Sequence, residues 1–329
     1  MIEVENLRKT YGNFVAVRGN DFAVDRGEIF GVVGPNGAGK TTTLKMLAGL
    51  VEPTAGEATL AGFDAGDPEM RSTLGFLPEE SPLYEDMTPL SYLQFFADLY
   101  DVPSDVADER IGDALDRLEL EHRERRLGDM SKGMKRKVAI ARSLVNDPDI
   151  LIYDEPASGL DPLTTNYVLE FTRELSEAGK TVVFSAHNLY HVESICDRVI
   201  IMNRGEIVAR GSVPEIREEH GYTEYHVTTT VPVEGAEVVD VANDGRAADA
   251  GDESDGYRVV ADSMDEVRRI REAAESAGGD VADIRTNEPS LEEIFLDIAK
   301  QPATYDRTVS GEERQASEAT SAPVSGDGR

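Results

Sequence analysis

The sequence predicts an α/β protein, and two observations carry that prediction. Short continuous apolar runs recur at Ile29-Phe30-Gly31-Val32-Val33, Ile150-Leu151-Ile152-Tyr153 and Thr181-Val182-Val183-Phe184-Ser185, which is how strands buried in a parallel sheet read. Segments with helical spacing lie between them, the alternation expected of α/β topology. The first run ends in Gly34-Pro35-Asn36-Gly37-Ala38-Gly39-Lys40-Thr41, followed by the helix-like Thr42-Thr43-Leu44-Lys45-Met46-Leu47. A Gly-x4-Gly-Lys-Thr loop between a strand and a helix is a phosphate loop in its proper context.

The remaining elements follow in chain order. Residues up to about Arg26 alternate apolar and polar (Ile2, Val4, then Phe22, Ala23, Val24), as half-exposed strands do. Residues 82–146 read as mostly helical, with Leu90, Tyr92, Leu93, Phe96, Ala97 and Tyr100, then Ile111, Leu115 and Leu118, near a 3.6-residue spacing. Ser131 can cap a helix running to Val145, and Asn146-Asp147-Pro148 marks its end. Past about Glu219 the character changes. A strand is expected over 222–231, an acidic Gly/Ala-rich connection over 232–256, a strand over 257–261, a charged helix over 263–277 and a strand over 281–286. Ser290-Leu291-Glu292-Glu293 has capping-box spacing and opens a last helix through about Lys300. Residues 301–329 hold almost nothing apolar to bury, so a disordered tail is expected. The domain plan is therefore 1–220, with a helical subdomain at about 82–146, then an accessory α+β domain at 221–300 and the tail.

Composition narrows the class. With 329 residues, 40% of them hydrophobic, the chain can bury a sizeable core and carry a smaller domain as well. Acidic residues number 64 against 33 basic ones, for a net charge of -31. The basic set is 25 Arg and only 8 Lys. This balance resembles proteins of salt-accumulating organisms and points to a halophilic archaeon. It also opposes nucleic-acid backbones, so no nucleic-acid partner is expected. The single cysteine, Cys196, permits no intrachain disulfide, fits a reducing compartment, and reads as a small buried side chain. Met1-Ile2-Glu3-Val4-Glu5 is acidic and strand-like rather than a signal peptide. No apolar run approaches the ~20 residues of a membrane-spanning helix, so work at a membrane requires a partner.

The chemistry centres on the loop and on Asp154-Glu155. Glycines let backbone N–H groups turn inward toward phosphates, where a helix N-terminus adds a favourable dipole. Lys40 is placed to neutralise β- and γ-phosphate charge, and the Thr41 hydroxyl to ligate Mg²⁺. Asp154 follows an apolar strand, so its carboxylate emerges at the sheet edge beside the loop and can hold Mg²⁺ directly or through water. Glu155, one residue on, is suited to polarise an attacking water as general base.

Three later segments resemble the signature, Walker B and D-loop of an ABC transporter ATPase subunit: Ser131-Lys132-Gly133-Met134, Ile150 to Glu155, and Ser158-Gly159-Leu160-Asp161. The motifs keep that family's order from Tyr11 to His187, and the resemblance spans roughly residues 1–220. It implies a P-loop NTPase (RecA-like) core with an antiparallel β subdomain and a helical subdomain, plus a small α+β C-terminal domain. It implies ATP and Mg²⁺ as ligands, with Gly34, Pro35, Asn36, Gly37, Ala38, Gly39, Lys40, Thr41 and Thr42 around the phosphates. Tyr11 would stack on adenine. His187 would contact the γ-phosphate and steady the attacking water. Ser131 and Gly133 would face the γ-phosphate held by the opposite subunit, and Asp161 would reach across to help shape it. Two nucleotides would thus lie between two cassettes in a head-to-tail dimer. Closure and hydrolysis would drive a separate membrane permease from the cytoplasmic face of the cell membrane.

Two departures from the family pattern are informative. The commoner signature is Leu-Ser-Gly-Gly-Gln, whereas this chain has Met130-Ser131-Lys132-Gly133-Met134; and the Q-loop glutamine is replaced by Glu79. Glu79 can still ligate Mg²⁺ or position water, while adding negative charge near the γ-phosphate. Both changes, with Pro289-Ser290-Leu291-Glu292-Glu293-Ile294-Phe295, resemble the drug-, sodium- or polysaccharide-exporter branch that uses ABC-2-type permeases. The permease would dock beside the Q-loop, between Glu79 and Tyr92. Lys132, Lys135, Arg136 and Lys137 form a basic cluster, read either as a solvated helix face or as an attractor for the opposing triphosphate. A soluble ABC ATPase acting on ribosomes or DNA is the alternative, opposed by the single cassette, the lack of sustained heptads and the charge.

Overall fold

The computed structural model describes residues 1–220, 224–239, 256–287 and 289–300. The expected tail and the middle of the acidic connection lie outside the described residues. The central sheet orders its strands, among the described residues, as β10 (Glu206–Gly211), β9 (Arg198–Asn203), β3 (Ile29–Val33), β8 (Thr181–Ala186), β7 (Ile150–Asp154) and β6 (Leu74–Leu77). All neighbours pair in parallel except β10, which closes one edge antiparallel to β9. Every residue of β3, β7 and β8 is buried, the reason those segments read as unbroken apolar runs.

A second, antiparallel sheet orders β2 (Phe14–Val24), β1 (Ile2–Tyr11), β4 (Ala55–Leu60) and β5 (Phe63–Asp64). Helix α1 (Lys40–Leu47) lies between the two sheets. Its Leu44, Met46 and Leu47 share one core with Ile2, Val4 and Leu60 from the antiparallel sheet and Val32 and Ile152 from the parallel one. The phosphate loop is thus clamped from both sides.

The helical block contains α2 (Pro89–Leu99), α3 (Ser104–Arg117) and α4 (Lys132–Arg142). Thr88 and Ser91 form a reciprocal capping box that starts α2. Tyr92, Leu93, Ile111, Leu115 and Val138 bind the three helices into one core with Tyr153 and Val182 of the sheet. Helix α4 ends at Arg142, three residues short of the expected Val145. The Ser143 hydroxyl donates to the Ile140 carbonyl at 2.7 Å, and the Leu144 N–H bonds Ala141 rather than Ile140; such i→i+3 bonds tighten and finish a last turn.

Helices α5 (Pro162–Glu177), α6 (Leu189–Ile195) and α7 (Val213–His220) complete this part. The C-terminal segment forms a sheet ordered β12 (Glu237–Val239), β13 (Gly256–Ala261), β11 (Glu224–Thr229) and β14 (Val281–Asn287), with α8 (Met264–Ser276) against it. Val227, Val259, Ala261, Val267 and Ile270 are its own small core. Strand β12 lies within the connection expected to be irregular; its register against β13 is fixed by long-range pairing, Val238 opposite Tyr257. The last helix, α9 (Leu291–Lys300), leaves this sheet and packs on α6 and α7, with Leu291 and Ile294 buried in the main core. The Glu193 carboxylate on α6 accepts the Leu291 N–H at 2.8 Å and pairs with Arg217 of α7 at 3.3 Å.

Strand order is what assembles the site. Strands β3, β8, β7 and β6 are neighbours and parallel, so their C-terminal ends bring together the phosphate loop, His187, Asp154-Glu155 and Pro78-Glu79.

Candidate active site

The phosphate loop depends on glycine at two close approaches. A Cβ on Gly34 would lie 2.2 Å from the Met202 carbonyl oxygen, and one on Gly39 (φ +105°) 2.6 Å from that of Ala16. Gly39 is the N-cap of α1 and offers no side-chain cap, leaving first-turn N–H groups available to an anion. The Lys40 ammonium is nearly buried and donates to the Gly34 and Pro35 carbonyls at 2.8 and 3.4 Å. It also lies 3.4 Å from the Glu155 Oε1.

Asp154 is 1% exposed. Its Oδ1 accepts from the Ser185 hydroxyl at 2.6 Å and from the Thr41 hydroxyl at 3.3 Å, while its buried Oδ2 has no hydrogen-bond partner. A buried carboxylate oxygen left open beside a hydroxyl is a donor set that fits Mg²⁺, a hard cation that takes oxygen ligands. Glu155 follows with φ +47°, a left-handed conformation that costs a residue with a Cβ about 1–3 kcal/mol. Its N–H donates to Ser185 Oγ at 2.9 Å, and its Oε2 meets His187 Nδ1 at 2.6 Å. Ser185 thus orients both carboxylate residues at once. Sequence reasoning read it only as the end of a strand; a hydroxyl closing an otherwise apolar run was the available signal.

A cleft of about 370 Å³ opens over the loop, lined by Pro35 to Thr42 together with Phe14, Ala16, Glu79 and Glu155. Tyr11 is not among its lining residues; that ring is 48% exposed with the Lys9 ammonium 5.2 Å from its centre. The aromatic that does line the cleft is Phe14, 63% exposed, which sequence reasoning passed over.

Ser131, Gly133 and Asp161 do not line this cleft either. Ser131 caps α4 by accepting the Met134 N–H at 3.2 Å. Asp161 caps α5, accepting from the Thr164 hydroxyl at 2.7 Å and the Thr164 N–H at 3.0 Å, and these bonds hold its carboxyl below the usual range. A Cβ on Gly133 would approach that same Thr164 to 3.2 Å, so these motifs meet at one place, the paired N-termini of α4 and α5.

Of the basic cluster at 132–137, Lys132, Lys135 and Arg136 line one cleft with Glu79, Glu80 and Ser158, and Lys137 does not. The Lys132 ammonium lies against Gly159, 2.2 Å from where a Cβ would stand. Lys135 faces Glu85 at 3.9 Å, and the Lys137 ammonium sits 4.1 Å from the centre of the Tyr167 ring. Arg136 is buried, and burial pulls its guanidinium down to about 10, leaving it charged at neutral pH. Cys196 is half-buried rather than fully so, and desolvation pushes its thiol well up from the usual range.

A glycine loop at a helix N-terminus, with a carboxylate pair and a histidine on adjoining strand ends, defines an ATP-hydrolysing P-loop enzyme. Comparison with known proteins gives the family. Residues 17–158 match the ABC transporter family, and residues 211–299 match the C-terminal domain of DrrA1-3-like ATP-binding proteins. The linearmycin resistance ATP-binding protein LnrL of Bacillus subtilis is 36% identical over 219 residues, 66% of this chain and 70% of that protein. The Nod factor export ATP-binding protein I of Burkholderia orbicola is 38% identical over 214 residues, 64% and 70% of the two chains. A dimeric ATP-binding cassette solved in a post-hydrolysis state with ADP and Pi superposes with a TM-score of 0.60 at 26% identity, covering 65% of this chain and 99% of that one. The chain belongs to the ABC transporter ATP-binding proteins: it is the ATP-binding and ATP-hydrolysing subunit of a transporter. Among the described residues no helix is long and apolar enough to cross a membrane.

Proposed function

We propose that two copies of this chain close head-to-tail over two ATP molecules and that their opening and closing powers export through an ABC-2-type permease, from the cytoplasmic face of the membrane. The observation that carries this reading is the split of the motifs. Lys40, Thr41 and Glu155 line the cleft over the loop, whereas Ser131, Gly133 and Asp161 gather away from it at the N-termini of α4 and α5. One chain therefore offers half of each site, and a second copy supplies the remainder.

Within one half, Lys40 leaves Glu155 and the loop carbonyls to meet the β- and γ-phosphates. Thr41 and Asp154 would hold Mg²⁺, with Glu79 in the same cleft as a further oxygen ligand; when bound, the ion neutralises charge on the β- and γ-oxygens. Glu155 accepts the proton of the attacking water as its oxygen bonds the γ-phosphorus and the bond to the β-phosphate oxygen breaks. His187, already hydrogen-bonded to Glu155, fixes the direction of that carboxylate and stands beside the water. Tyr11 and Phe14 are the aromatic candidates for the adenine face, Phe14 being the one that lines the cleft. Ser131 and Gly133 direct the α4 N-terminus at the partner's γ-phosphate, where its amides favour an anion.

Export is supported by the signature variant Ser131-Lys132-Gly133-Met134, by Glu79 and by the names of the relatives. The net charge of -31 supports a halophilic source and predicts that stability rises with KCl. The test is the mass in solution of Glu155→Gln. With ATP and Mg²⁺ it should double, and without nucleotide it should be that of one chain. A mass that ignores ATP would overturn the sandwich.

A further inference from the structure

Arg136 is a buried cation to which the hydrolysis scheme gives no task. Its Nε donates to the Pro156 carbonyl at 2.6 Å, its Nη1 to Pro78 and Glu79 at 2.9 and 3.1 Å, and its Nη2 to Glu155 and Asp154 at 2.9 and 3.3 Å. All five acceptors are main-chain carbonyls, so what the guanidinium fixes is backbone. They come from two sources, the end of β6 at the Q-loop and the end of β7 at the general base. The donor comes from a third, the first turns of α4, five residues beyond Ser131.

The grip falls on a strained stretch of backbone. Glu155 holds φ +47°, and its carbonyl is shared between Arg136 and the Ser158 N–H, 3.1 Å away. Only a planar fork with five N–H groups can serve acceptors spread in this way; an ammonium has three donors on one point. A helix that swings moves the fork, and the fork moves two loops together.

We propose that Arg136 is a positioning residue that holds the main chain of Glu155 and Glu79 to α4, so that the placement of the base depends on the helix that presents Ser131 and Gly133. Hydrolysis in one half is thereby made conditional on the element that reaches the other half. This rests on the assignment of Glu155 as base.

The test uses the full chain at matched KCl, with Arg136→Ala and Arg136→Lys compared for Mg-ATP binding, kcat and melting temperature. Arg136→Ala should bind ATP within about threefold of wild type and lose at least about thirtyfold in kcat, the scale of a sub-ångström misplacement. Tens of millimolar guanidinium should restore kcat at least fivefold, on the order expected when a missing fork is resupplied, although guanidinium lowers the melting temperature of wild type. Arg136→Lys should lose about tenfold, since it keeps charge without the fork. A kcat within about threefold of wild type in both variants overturns the proposal. So does a loss that matches the loss of ATP binding and is not rescued, because that is support of the fold alone. Should Arg136→Ala not fold, Arg136→Lys decides by the same two criteria. A Glu155→Gln variant with wild-type kcat would instead strike the assignment of the base and leave these contacts as they are.

Discussion

Replacing Ser185 by alanine tests whether one hydroxyl organises the carboxylates. Ser185 Oγ donates to Asp154 Oδ1 at 2.6 Å and accepts the Glu155 N–H at 2.9 Å, all three groups being buried. Deleting it removes a bond to a charged acceptor, about 1.5–3 kcal/mol, and orphans a buried N–H at about 1–3 kcal/mol. Asp154 keeps its 3.3 Å contact with Thr41, and a water entering the space left by one oxygen would recover part of the loss. The net cost should be about 2–4 kcal/mol, a large share of the roughly 5–15 kcal/mol that holds a domain together. Urea unfolding of the full chain at constant KCl reads it directly, as a lower midpoint at unchanged slope. Turnover should also fall, since the Glu155 backbone loses one of its anchors. A change below about 0.5 kcal/mol, the range of ordinary surface substitutions, would mean that the Ser185 hydroxyl does not anchor these groups.

Three further expectations follow from the same geometry. Glu155→Gln should retain ATP binding and lose about 10²–10⁴ in kcat, the range for a general base, in a steady-state ATPase assay. Gly159→Ala should cost about 1 kcal/mol from its left-handed conformation alone; combining it with Lys132→Ala should leave that cost unchanged in a double-mutant cycle, because the crowding Lys132 ammonium can swing aside. Cys196 should react with a disulfide reagent at pH 8 more slowly in the folded protein than in urea. Burial raises its pKa, so the reactive thiolate is scarce until unfolding lets it form.

The parts of the site legible in the sequence are those that lie in one stretch of chain. The phosphate loop needs a strand, glycines and a helix in immediate succession, and Asp154-Glu155 needs one apolar strand before it. The capping residues Ser131 and Ser290 are equally local, each bonded within three residues of itself. Ser185 and Arg136 stayed hidden because their partners are remote: Ser185 reaches Asp154 only because β8 pairs with β7, and Arg136 reaches Pro78 across 58 residues. Strand order decides both, and no local periodicity encodes it. The basic cluster divides by helix geometry. Residues three and four apart on a helix share a face and adjacent ones do not, so Lys132, Lys135 and Arg136 line one cleft while the Lys137 ammonium sits over the Tyr167 ring. Helix α9 could be read as a helix from its capping box, but its destination on α6 depends on Glu193, about a hundred residues earlier in the chain.

If each hydrolytic site is built from two chains, as proposed, two inactive variants should complement one another when mixed. By the proposed head-to-tail arrangement, Lys40→Ala should spoil the half that would hold the phosphates, and Gly133→Asp the half that would face the partner's phosphates. Neither variant alone can build an intact site. In an equal mixture half of the dimers combine the two variants, and each of these has one intact site, so ATPase activity should recover to about a quarter of wild type in a two-fold symmetric dimer. Activity no greater than the sum of the separate variants would mean that both motifs serve the same chain and that no site is shared between two copies.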